Sequence, residues 1–105
     1  MKNAVLGKRY RLDVALVDRA EIRRLNRTYR GRNSSTDILS FPLSPDEGQI
    51  VLCLSEVAAQ ARFFSRAPSN FLKFLFIHGL LHLKGMTHGG RMEREEEKFR
   101  KKFNI

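Results

Sequence analysis

The sequence predicts a small α+β domain: a mixed sheet of three to four strands packed with helices, one of them a buried central helix. Three observations carry that reading. Residues 11–17, "RLDVALV", alternate apolar and polar in the period of a half-buried strand. Residues 49–54, "QIVLCL", form a continuous apolar run bounded by turn residues, as a central strand does. Residues 71–83 are apolar nearly all round at helical spacing. At 105 residues the chain holds one domain, 1–105, with a single core.

In chain order, Leu12, Val14 and Leu16 fall on one side of the first strand. Asp18 then opens a helix with Glu21 three residues on, a capping-box arrangement. Ile22, Leu25 and Tyr29 recur at helical spacing and Gly31 supplies the stop. The opposite face carries Arg19, Arg23, Arg27 and Arg30, so the helix is amphipathic with a basic outer side. "TDILSFP" reads as a second strand, in which Pro42 marks an end or a sheet edge because it cannot donate to a ladder. "SPDEG" is a turn. Ser55 is expected to cap a helix reaching Phe64, and Ser69 or Asn70 to open the next after the break "APSN". That next helix leaves only a narrow polar stripe, Lys73 and Lys84, and Gly85 ends it. The last helix, "RMEREEEKFRKKF", is acidic at its start and basic at its end, as the helix dipole prefers, with Met92, Phe99 and Phe103 inward.

Twenty Lys+Arg against eleven Asp+Glu leave a net charge of +9, which makes a polyanion the expected partner. The lone Cys53 sits in an apolar run and reads as an inert buried thiol in a reducing compartment. The start lacks the apolar core of a signal peptide, and residues 71–83 are too short to span a bilayer. A cytoplasmic protein without a membrane partner is the expectation, as a monomer.

All three histidines lie in "HGLLHLKGMTH", residues 78–88. His78 and His82, four apart on a helix, share one face and can aim ring nitrogens at one ion. Gly85 can adopt the left-handed conformation that turns the chain, which lets His88 complete a tripod. Imidazole suits zinc. Three histidines leave a position open for water, the mark of a catalytic site, whereas structural sites are usually closed by four ligands that include cysteines. The expected cofactor is therefore one Zn2+ per chain, held by three histidines and a water. Zinc peptidases with similar histidine spacing carry a glutamate base after the first histidine, where this chain has Gly79.

The run "HGLLHLKGMTH" is similar to the H-G-x-L-H-L-x-G-x-D-H signature of the YbeY family of bacterial endoribonucleases, in which glycine follows the first histidine. "LNRTYRGRNSSTDILSFP", residues 25–42, resembles the family's L-N-x-x-Y-R-G-K-x-x-P-T-D-V-L-S-F-P block, and "GQIVLCLSEVAAQA" its G-D-I-V-I segment. The chain departs from that pattern at Met86-Thr87, where Tyr-Asp is usual, at Gln49 for Asp and at Ser35 for Pro, and it is shorter than typical members. Thr87 carries no charge and orients a ligand or water less well than aspartate does.

The resemblance implies a single-strand-specific, zinc-dependent endoribonuclease acting on precursor rRNA of the small ribosomal subunit and in ribosome quality control. It implies His78, His82 and His88 as ligands and Arg30 as the functional arginine. The chemistry agrees, because phosphodiester cleavage builds charge on phosphoryl oxygens that an arginine fork can stabilise. Arg27, Arg30, Arg32 and Lys84 are the expected RNA contacts, although solubility alone explains Arg27 and Arg32 as well. Asp37 is either a group supporting the site or a turn cap. Glu93 and Glu95–Glu97 read as the acidic start of the last helix. The rival from another class is a non-catalytic RNA-binding assembly factor with a structural or vestigial zinc.

Overall fold

A computed structural model describes residues 1–105. Strand β1 (Arg11–Leu16) precedes helix α2 (Arg19–Arg30), and strands β2 (Ile38–Ser44) and β3 (Glu47–Leu52) form a hairpin. Helices α3 (Leu54–Phe63), α4 (Pro68–Leu83) and α5 (Gly90–Lys102) complete the chain, and a short helix α1 (Lys2–Leu6) begins it. The three strands lie in the order β1-β3-β2, with β1 parallel and β2 antiparallel to β3. The α+β prediction holds, with three strands.

The central position of β3 follows from its composition. Ile50 and Leu52 face one layer, with Ile77, Leu80 and Leu81 of α4. Val51 and Cys53 face the other, with Ile22 of α2 and Leu39. Residues of alternate parity on one strand point to opposite faces, so only a strand covered on both sides is apolar throughout. Pro42 lies within β2, on the sheet edge, and the register shifts between Pro42 and Ser44. The missing donor thus costs no ladder bond inside the sheet.

Four sequence expectations need correction. Leu12, Val14 and Leu16 do share a side of β1, but only Leu12 packs on the core, and Leu16 is 63% exposed. As an edge strand, β1 extends beyond the cover of the helices. Ser55 does not cap α3. Cys53, in extended conformation at the end of β3, is the N-cap, and strand passes to helix without a turn. Helix α4 opens at Pro68 rather than at Ser69 or Asn70, since proline is pre-set for the first helical turn. Helix α1 has no counterpart in the sequence reading, because five residues are too few to show a period. Lys2 secures it by donating from Nζ to the carbonyls of Gly7 (3.1 Å) and Tyr10 (2.9 Å).

Candidate metal centre

Helix α4 holds two of the three histidines one turn apart. Its end follows the Schellman pattern: Gly85 N–H donates to the His82 carbonyl (3.0 Å) and Met86 N–H to the Leu81 carbonyl (3.1 Å). Gly85 has φ 96°, a left-handed value that a side chain would strain. The chain thereby reverses and returns His88 to the helix, its ring centroid 5.2 Å from that of His78 and 4.9 Å from that of His82. One nitrogen from each of the three rings lies within 4.8 Å of the others. The tripod expected from the spacing is formed.

The hydrogen bonds show that these rings suit a cation. His78 Nδ1 contacts the Glu96 carboxylate, and His82 Nδ1 lies 3.0 Å from the Met86 carbonyl oxygen. Neither partner donates as a carboxylate or carbonyl, so Nδ1 is the protonated nitrogen of each ring and Nε2 is the atom each presents to its neighbours. The two Nε2 atoms are 3.0 Å apart. Nitrogens at that distance share either a proton or a metal ion between them. Tetrahedral zinc, with Zn–N bonds of about 2.0–2.1 Å, holds neighbouring nitrogens about 3.3 Å apart, close to that spacing. Burial, and then the proximity of His78, lowers the pKa of His82, which keeps it neutral and able to ligate.

Gly79 answers the question raised by the missing glutamate. A Cβ at this position would meet Ile38 Cδ1 at 2.9 Å and Ser40 Oγ at 3.0 Å. Position 79 faces the sheet, where Ser40 donates to the Gly79 carbonyl (3.3 Å). A side chain there would collide with β2, so this fold leaves no room for a glutamate at the position where zinc peptidases carry their base.

The histidines open onto a cleft of about 570 Å3 between α4 and β2. Arg30 lines it as the one Lys or Arg and Asp37 as the one acid, and Thr87 lines it as well. Desolvation by burial raises the pKa of Asp37 and outweighs the Ile38 N–H and Thr36 hydroxyl that favour its ionised form. Asp37 also accepts from Cys53 N–H through its own carbonyl (3.0 Å), tying β2 to the end of β3. Arg27 and Arg32 are exposed beside Arg30 but outside the cleft. Lys84 lies outside the cleft, in an adjoining depression that shares Gly85, Met86, Thr87 and His88 with it. On the basic side of α2, Arg19 pairs with Glu56 (2.6 Å) and Arg23 donates to Asn33 Oδ1 (3.0 Å), so two of its four arginines are engaged within the protein.

Glu96 is the site residue whose role sequence reasoning missed. It lies in the second turn of α5, where only the packing of α5 on α4 reveals that it points inward.

A family model, Endoribonuclease YbeY, matches residues 1–104. The chain belongs to the YbeY endoribonuclease family. Endoribonuclease YbeY of Sulfurimonas denitrificans is 37% identical over 102 residues, covering 90% of this chain and 73% of that protein. The Nautilia profundicola relative of the same name is 36% identical over 101 residues, with coverage of 90% and 73%. The solution structure of TM1509 from Thermotoga maritima aligns with a TM-score of 0.65 at 31% identity, over 92% of this chain and 72% of that one. Membership of the YbeY family fits a histidine cluster that has glycine, not glutamate, after its first member. No helix is long and apolar enough to cross a membrane.

Proposed function

We propose that this chain is a single-strand-specific metallo-endoribonuclease that acts on small-subunit rRNA precursors and in ribosome quality control, as a cytoplasmic monomer. The observation that carries the reading is one cleft containing three convergent imidazoles, Arg30 and Asp37. His78, His82 and His88 would hold one zinc ion. Zinc, when bound, supplies Lewis-acid polarisation of a phosphate oxygen and an acidified water.

The protein's own groups do the rest. Arg30, exposed and without a carboxylate partner, is free to present its planar fork to a phosphodiester and to stabilise charge that develops on the phosphoryl oxygens. Asp37 holds a proton at higher pH than an ordinary carboxylate, which suits it to hand that proton to the departing ribose oxygen. Arg27 and Arg32 extend the positive rim for the RNA backbone, and the excess of +9 draws RNA in from a distance. Lys84 contributes to the same field from outside the cleft.

The test is elemental analysis of the purified chain together with cleavage of a single-stranded RNA, with and without chelator. Stoichiometric zinc and chelator-sensitive cleavage are expected. RNA binding with no cleavage at any metal loading would favour an assembly factor without catalysis.

A further inference from the structure

Helix α4 carries a second feature on the turn before its histidines. Phe74 lies four residues, about 6 Å of helix rise, ahead of His78. A chain of rings leads away from it: Phe74 to Phe71 at 6.2 Å, Phe71 to Phe64 at 5.9 Å, and Phe64 to Phe63 at 5.1 Å between centroids. Phe71 is buried and anchors the row, whereas Phe63 is 79% and Phe64 56% exposed. Phe64 touches Phe71, yet most of both rings at the end of α3 is left in water, more apolar surface than their packing requires.

Cations surround the row. The Arg66 guanidinium sits 5.0 Å and that of Arg100 5.3 Å from the centre of the Phe74 ring. Neither takes part in any ion pair of the molecule. Arg66 Nη1 and Arg100 Nε are buried without a hydrogen-bond acceptor. Two guanidiniums drawn to one ring, neither paired with a carboxylate, leave uncompensated positive charge beside the row. Exposed Arg62 and Lys73 add to the positive rim. Leu75, which lines the histidine cleft, also packs in the cluster with Phe71, so the row and the cleft are neighbours on α4.

We propose that this aromatic–guanidinium row is a docking platform for single-stranded RNA: bases stack on Phe63 and Phe64, the backbone phosphates run along the positive charge of Arg62, Arg66 and Lys73, and the strand continues into the cleft. Stacking on rings accepts any base but requires it unpaired, and guanidiniums fix the backbone, so the platform selects single strands without reading sequence. The proposal rests on the RNA reading given above and adds where the strand lies.

The test uses the full chain in chelator, so that binding is read apart from cleavage, with a fluorescent uridine dodecamer. Phe63→Ala combined with Phe64→Ala should weaken binding by about 10- to 100-fold, and Phe64→Tyr should leave it within about threefold, on the scale of lost and retained base–aromatic contacts. The chain has no tryptophan, so Phe64→Trp introduces a lone reporter whose fluorescence should be quenched as the dodecamer binds. A double alanine variant that binds like the wild type, or a reporter that RNA does not quench, overturns the platform; if the wild type still cleaves RNA, the endonuclease reading survives. Quenching and ring-dependent binding by a chain that never cleaves RNA would keep the platform and remove the endonuclease reading. Exposed rings that instead drive sedimentation with lipid vesicles or self-association, with RNA affinity unchanged by their loss, also overturn it.

Discussion

Glu96 of α5 contacts Nδ1 of His78 on α4, and this fixes which nitrogen of His78 faces the cleft. A carboxylate behind a histidine ligand holds the ring's orientation and raises its basicity. Glu96→Gln should therefore weaken zinc affinity by about 10- to 100-fold, measured by competition with a chromophoric chelator, while the circular dichroism spectrum stays unchanged. Unaltered affinity would leave Glu96 a packing residue only.

Arg30 and Arg27 should separate in kinetics. Arg30→Ala is expected to lower single-turnover cleavage by on the order of 10²–10³ with only modest loss of RNA affinity, since its value lies in the transition state. Arg30→Lys should rescue poorly, because a point charge does not reproduce the fork. Arg27→Ala should weaken binding and leave saturated turnover nearly unchanged. Equal, small effects of both alanine variants would make Arg30 an ordinary surface charge.

The pKa of His82 is lowered in the folded chain, so the unfolded chain binds a proton more readily. The sign follows directly: the stability linked to His82 is present above its unfolded pKa of about 6.5 and is lost as pH falls through its lower folded value. Thermal unfolding of the metal-free protein should shift to lower temperature over that acid range. His82→Gln should flatten the dependence. Zinc should bind down to a lower pH than ordinary histidines allow.

Asp37 has the opposite sign. Its raised folded pKa means that folding favours the protonated form, so its contribution is present in acid and is lost as pH rises through the folded pKa. Asp37→Asn should thus raise the melting temperature at neutral pH while lowering the cleavage rate. A lower melting temperature at neutral pH would show that its hydrogen bonds outweigh its burial.

Gly79→Glu, which writes a peptidase-like base into the sequence, should give no peptidase. The new side chain would be driven toward Ile38 and Ser40, and destabilisation of more than about 3 kcal/mol is expected from overpacking and a buried charge. Chemical denaturation measures it; a variant of native stability would contradict the placement of position 79.

The sequence by itself determined the elements that rest on local chemistry. Asp18 accepts from Glu21 N–H (2.8 Å) and Gly31 closes α2 at φ 67°, as their positions in the chain require. The His78–His82 spacing and the Gly85 turn likewise determined the tripod, because helix geometry fixes which residues share a face. Tertiary structure decided what depends on which element lies alongside. Val14 and Leu16 alternate correctly yet stay exposed, since β1 is an edge strand. Glu96 looks like its neighbours Glu95 and Glu97, which pair with Lys98 and Lys101 at the surface, but the packing of α5 turns it alone onto His78. Period and capping are properties of a single segment. Cover, desolvation and cross-helix contact belong to pairs of segments, and only the folded chain brings those pairs together.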